Sequence, residues 1–150
     1  MSATSLAFPG NAFQIGSGPA AAYFQSIAQS IPNSIQTLVN FQIKEFDTDS
    51  AFNINTGIFQ PKVAGIYQIN AVVAGGFTTQ VLLSIFKNGT VHKRGCEAAS
   101  SLNSAIVSSL IVLNGNDYVE FKMFHTTGGP INTNPGSAVT YFNAAWIRGL

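Results

Sequence analysis

The sequence predicts an all-β domain in which two sheets pack face to face, and three observations lead there. Short apolar runs with a period of two recur between turn residues along most of the chain. Twelve Phe and 14 Gly, with many β-branched residues and abundant Asn, Ser and Thr, suit strands joined by tight turns. Helical spacing is confined to one stretch, residues 20–31, where three alanines precede Ile27 and Ile31 before Pro32 ends the segment. The same stretch reads equally as a strand carrying Tyr23 and Phe24, and periodicity leaves that choice open.

The elements follow in order. Residues 1–19 carry Pro9, Gly10, Gly16, Gly18 and Pro19, which exclude a regular helix or a long strand. No charged residue occurs before Lys44, and Leu6, Phe8, Phe13 and Ile15 are apolar. A disordered tail is normally more polar, so an arm that docks on a neighbour is expected, followed by one domain over residues 20–150. Leu38, Val39, Phe41 and Ile43 form the next apolar run. Phe52, Ile54, Ile58 and Phe59 flank a turn at Asn55, Thr56 and Gly57. Residues 65–73 alternate cleanly, with Tyr67, Ile69, Ala71 and Val73 on one face and Ile66, Gln68, Asn70 and Val72 on the other. Gly75 and Gly76 are expected to end that strand. Residues 81–86 lead into Asn88-Gly89, the pair a type I′ hairpin turn demands, with a strand from Thr90 towards Cys96. Residues 105–113 are apolar on both faces except at Ser108 and Ser109, which implies cover on both sides. Residues 114–117 form a turn. Val119, Phe121 and Met123 alternate with Glu120 and Lys122. Residues 127–136 hold three Gly and two Pro and read as a long loop, and residues 139–148 close the chain as a last strand.

Charged residues make up 9% of the chain, well under the roughly 25% of ordinary soluble domains. Either the surface is neutral and amide-rich, or other subunits cover much of it. The second reading is the expectation, because permanent interfaces lose charge. The net charge is +1 and only Lys93 and Arg94 are adjacent cations, so no nucleic-acid footprint or polybasic membrane patch is expected. Neither a secretory leader nor a stretch of roughly 20 apolar residues is recognised. The single cysteine, Cys96, excludes an intrachain disulfide and paired-cysteine zinc sites, and reads as an inert thiol.

One gapped motif is specific. Phe41, Asp47, Phe52, Phe59, Gly65 and Tyr67, followed by Gln68 and Ile69, stand at spacings that resemble the signature of the complement C1q globular-head family, a branch of the tumour-necrosis-factor-like jelly rolls. Lys87-Asn88-Gly89 resembles that family's hairpin, residues 113–119 its Gly-Asp-Val turn with one extra residue, and Tyr141, Phe142, Trp146 and Ile147 its closing strand. Ile69 and Ala71 depart from the usual aromatics. The resemblance implies a ten-stranded jelly-roll sandwich assembled as a trimer, with Phe59, Gly65, Tyr67 and Phe142 in the core. Asp47, at the family's Asn/Asp position, reads as a turn residue accepting backbone hydrogen bonds, and Gly65, where a turn enters a strand, is expected to need positive φ.

Catalytic signatures are missing: there is no Gly-x-Ser-x-Gly elbow and no His-Glu-x-x-His, and His92 and His125 read as surface or hydrogen-bonded histidines. No enzyme is expected. His92 and Cys96 lie four apart, too far along a strand to share a metal. Asp47-Thr48-Asp49 resembles the start of a calcium loop but has Phe52 where an EF-hand needs Gly. No cofactor is assigned, with calcium left open. Glu97 is read as a solvated rim residue.

The expected function is that of a homotrimeric structural protein of a virion, such as a bacteriophage capsid decoration protein or fibre head. Its partners would be itself and other virion or fibre proteins. The trimer interface is expected at Tyr23, Ile66, Gln68, Val72, Ile111 and Tyr141. The alternative is a glycan- or protein-binding recognition module of a bacterial cell, spore or fibre surface. That module would bind through the loop holding Thr127, Asn132 and Asn134. A cytokine-like soluble ligand is the third reading.

Overall fold

The computed structural model describes residues 18–95 and 102–150 together with two short strands near the N-terminus. Fifteen strands and no helix occur among the described residues. In chain order they are β1 (Ala7–Phe8), β2 (Asn11–Ala12), β3 (Ala20–Phe24), β4 (Ser30–Ile31), β5 (Thr37–Leu38), β6 (Ile43–Asp47), β7 (Phe52–Asn53) and β8 (Ile58–Phe59). Then follow β9 (Gly65–Phe77), β10 (Val81–Lys87), β11 (Thr90–Arg94), β12 (Leu102–Leu113), β13 (Val119–His125), β14 (Ile131–Asn132) and β15 (Tyr141–Arg148). β1 and β2 pair with each other. How residues 1–19 dock as an arm, and the surroundings of Cys96 and Glu97, lie outside the described residues.

Two antiparallel sheets carry the fold. One runs β11-β10-β13-β8-β7 with β5 also on β13, and the other runs β12-β9-β15-β3-β6. β4 and β14 make a small separate pair at one end. The inward faces meet in an aromatic core. Phe142 is fully buried at its centre, with ring centroids 4.6 Å from Phe52, 4.9 Å from Phe121, 5.1 Å from Phe41, 5.6 Å from Tyr23 and 6.4 Å from Phe59. Most of these rings meet edge-on or tilted, the arrangements their quadrupoles favour, at about 0.5–1.5 kcal/mol per pair beyond burial.

Local chemistry explains the elements. Residues 20–24 form a strand, because pairing with β15 and β6 places Ala21 and Tyr23 in the core and outweighs the helix propensity of three alanines. Asn88 and Gly89 adopt φ of 52° and 78°, which is the I′ turn, and align β10 with β11.

One expectation is corrected and one gains a further reason. Gly75 and Gly76 do not end β9, which runs on to Phe77; Phe77 is buried, and Leu102 on β12 still pairs with it. Gly65 has the expected positive φ, 159°, but close contacts add a second reason for glycine there. A Cβ there would lie 2.3 Å from Trp146 Nε1 and 2.4 Å from the Arg148 carbonyl, so glycine is needed for the close approach of the last strand.

Candidate interaction face and end loop

The outer face of the five-stranded sheet is built by strand alternation. Tyr67, Ile69, Ala71 and Val73 point inward along β9, which leaves Ile66, Gln68, Asn70 and Val72 outward and half-buried. Register then places Ile106, Ser108, Leu110 and Val112 of β12 beside them on one flank, and Tyr141, Asn143 and Ala145 of β15 on the other. β3 adds Ala22 and Phe24, and β6 adds Phe46 and Ile43 opposite them. Ile106, Leu110, Val112, Ile43 and Phe46 are each at least 41% exposed, and the register sets one cation, Arg148, opposite Ile66 at the end of β15.

A polar row crosses the middle of the face. Gln68 Nε2 donates to Asn70 Oδ1 at 2.8 Å and to Ser108 Oγ at 3.1 Å. Ser108 Oγ donates to Asn70 Oδ1 at 2.6 Å, and Asn70 Nδ2 donates to Asn143 Oδ1 at 2.7 Å. Among the described residues, Gln68 Oε1 and Asn143 Nδ2 have no partner. The row therefore ends in one open acceptor and one open donor.

Of the residues expected at a subunit interface, Ile66, Gln68, Val72 and Tyr141 lie on this face. Tyr23 and Ile111 do not. Tyr23 is 4% exposed, and its ring packs on Phe52 and Phe142. Ile111 is 1% exposed and pairs with inward-facing Tyr67, so Leu110 and Val112 are its outward neighbours. The sequence reading took β12 as apolar throughout without assigning its phase. Counting back from the Leu113–Gly65 pair at the start of β9 would have set it. Asn70, Ser108 and Asn143 were missed as members of one row for the same reason.

Phe41, Phe52, Phe59, Tyr67 and Phe142 are all buried. Asp47 organises the turn after β6. It accepts from the Tyr23 hydroxyl at 3.0 Å and from the backbone N–H groups of Asp49, Ala51 and Phe52. Burial and the Asp47 carboxylate push the Tyr23 hydroxyl up to about 12, so it stays a donor at neutral pH. Burial likewise pushes Tyr67 up to about 12, and its hydroxyl donates to the Val63 carbonyl at 2.6 Å.

The loop expected at residues 127–136 rests on a buried polar network. Gln25, Thr133 and Thr140 are at most 2% exposed. Thr133 Oγ1 donates to Gln25 Oε1, Gln25 Nε2 to the Asn40 carbonyl, and Thr140 Oγ1 to the Asn134 carbonyl. The backbone of Asn134 is tied to Ala74, and that of Gly136 to Gln25. Above this floor Asn132 and Asn134 are exposed. The Thr127 hydroxyl is occupied within the loop by His125 Nδ1 and the Gly129 carbonyl. His125 is fully buried, and its Nε2 donates to the Ile31 carbonyl at 2.9 Å, which pins β4 under the loop. His92 is exposed on β11; desolvation and nearby Lys93 and Lys87 hold its pKa below the usual histidine value. No cluster of three metal-ligating side chains occurs among the described residues.

This two-sheet architecture with its buried aromatic centre is the jelly roll of C1q and tumour-necrosis-factor proteins, as solved structures show. The globular domain of zebrafish complement 1qA superposes with a TM-score of 0.64 at 20% identity, covering 88% of this chain and 99% of that one. Eiger TNF from S. frugiperda gives 0.67 at 12%, covering 89% and 94%. Murine APRIL at pH 8.5 gives 0.64 at 16%, covering 87% and 100%. No curated protein matches the chain by sequence. The C1q domain family model matches residues 22–143, and the chain belongs to that family. Such domains are recognition or ligand-type modules, generally without enzymatic activity, and family members are typically homotrimers that bind proteins or glycans.

Proposed function

We propose that this protein is a homotrimeric recognition and assembly module that closes on itself through the outer face of the five-stranded sheet. The observation that carries the reading is the largely apolar face itself, with Arg148 at its edge as the cation the register places there. It presents large exposed aliphatic and aromatic side chains around a polar row with one open donor and one open acceptor. Away from Arg148 at the end of β15, a charged partner would find little to pair with, whereas a second copy offers both an apolar surface and the complementary polar ends. A stable assembly of this kind buries over about 1,000 Å² per contact. The threefold symmetry fits a threefold position on a capsid or the tip of a fibre, so a virion decoration or fibre-head role is the narrower form of the proposal. A soluble cytokine-like ligand would use the same trimer.

Light scattering after size exclusion at low micromolar concentration tests it. The expected mass is three times the 15.9 kDa of the chain. Leu110→Lys, at a side chain 58% exposed, should give a folded monomer with an unchanged β-type circular dichroism spectrum. A monomeric wild type overturns the reading.

A second reading, binding through the end loop, is favoured by the buried Gln25–Thr133–Thr140 floor. A loop held from beneath loses little entropy on binding.

A further inference from the structure

A cleft of about 420 Å³ opens at one edge of the sandwich, between β3 and β6 of one sheet and β7 of the other. Its size falls in the roughly 300–1,000 Å³ range of small-ligand sites. It is separate from the outer face of the five-stranded sheet: Lys44 pairs with inward-facing Tyr23, whereas Ile43 and Phe46 point the other way.

The polar groups lining it are unbalanced. Gln42 Oε1 accepts from the Ser26 N–H at 2.9 Å, and Asn53 Oδ1 accepts from the N–H groups of Asn55 and Thr56. Backbone N–H groups only donate, so these contacts fix both amide orientations and leave Gln42 Nε2 and Asn53 Nδ2 as the open ends. Lys44 has no carboxylate partner among the described residues, whose ion pairs are Lys87–Asp117 and Lys122–Glu120. Ser50, at φ 52°, adds an unpartnered hydroxyl. No carboxylate lines the cleft; of those adjoining it in sequence, Asp47 is saturated by four donors, Asp49 accepts from the Thr48 hydroxyl, and Glu45 follows Lys44. The lining of the cleft thus holds one cation, two amide donors and a hydroxyl, and no carboxylate. Phe52 and exposed Ile54 supply an apolar wall.

From this geometry we infer that the cleft binds an acidic saccharide: a sugar ring whose carboxylate pairs with Lys44, whose hydroxyl oxygens accept from Gln42 and Asn53, and whose C–H face lies against Phe52 and Ile54. A phosphate would call for an arginine fork or a nest of backbone N–H groups, neither of which lines the cleft. The inference deepens the recognition reading above by naming a ligand class, and it needs only one chain.

Amide chemical shifts of the ¹⁵N-labelled full chain, titrated with methyl β-glucuronide, methyl β-glucoside, acetate and inorganic phosphate, provide the test. The glucuronide should move residues 42–54 saturably. The neutral glucoside, acetate and phosphate should each bind at least about tenfold more weakly. Lys44→Gln, at an exposed position, should keep a dispersed spectrum and lose the preference for glucuronide over glucoside. Equal binding of the glucoside, or an unchanged preference in Lys44→Gln, overturns the inference. Acetate or phosphate matching the glucuronide reduces the site to a free-anion site and overturns the saccharide assignment. Shifts confined to residues 126–140 overturn the cleft in favour of the end loop. Light scattering on the same samples separates the two proposals: a trimer silent to glucuronide refutes the cleft alone, and a monomer that binds it refutes self-assembly alone.

Discussion

Replacing Asp117 with Asn tests how the turn between β12 and β13 is held. The Asp117 carboxylate accepts from the Asn114 N–H at 2.9 Å and from Asn88 Nδ2 at 2.7 Å, and pairs with Lys87 Nζ at 3.0 Å. It therefore ties the turn to the Asn88-Gly89 hairpin. These contacts, led by the Asn114 backbone bond and then Asn88, hold the carboxyl at about 2, below its ordinary 3.8. The residue is only 7% exposed, so solvent screening takes little from the effect. Because the folded value is depressed, the stabilisation is present above pH 3.8 and is lost as pH falls through about 2. The gap between the two values corresponds to about 2 kcal/mol at neutral pH. Asp117→Asn removes the charge and sets an amide donor against Lys87 or a neighbouring N–H group. It should cost about 2 kcal/mol at pH 7 and lower Tm by about 4–8 °C, read by urea and thermal unfolding at fixed protein concentration. At pH 2 the difference between variant and parent should fall to less than half. A loss below about 0.5 kcal/mol at pH 7, or one that persists unchanged at pH 2, would refute the account.

Phe142→Ala removes the ring at the centre of the aromatic core and should cost about 3–5 kcal/mol, measured by denaturant midpoint; a change under 1 kcal/mol would show that the cavity collapses freely. Tyr23 and Tyr67, both pushed up to about 12, keep their protons in the fold beyond the point where an unfolded chain releases them. Stability should accordingly fall as pH rises from 10 to 12, with ultraviolet phenolate absorbance for these two rings appearing together with loss of circular dichroism. Phenolate signal from all four tyrosines below pH 11 with the fold intact would contradict it.

Strand alternation made much of this fold legible, because inward and outward residues differ in kind: Tyr67, Ile69 and Ala71 against Gln68 and Asn70 on β9, or Phe121 and Met123 against Glu120 and Lys122 on β13. The Asn88-Gly89 hairpin was equally plain, since few residue pairs tolerate positive φ twice. Two circumstances hid the rest. Where both faces are apolar, as on β12, or both small, as on β3, composition does not carry the phase, and Ile111 and Tyr23 were placed on the wrong side. Sites assembled from distant segments leave no local pattern. The Gln25 floor under the end loop joins residues over a hundred positions apart, and the edge cleft depends on which end of the Gln42 and Asn53 amides a backbone N–H has already claimed.

The buried floor of Gln25, Thr133 and Thr140 has a practical consequence. It anchors the far foot of the end loop at Thr133 and Asn134, His125 on the Ile31 carbonyl holds the near foot, and Gly128, Gly129 and Pro130 sit between the two at the tip, where a Cβ at either glycine would meet no atom within 4 Å. Foreign sequence inserted at that tip would extend into open solvent without disturbing the supports. The domain is thus suited to displaying a grafted peptide from one end of the sandwich.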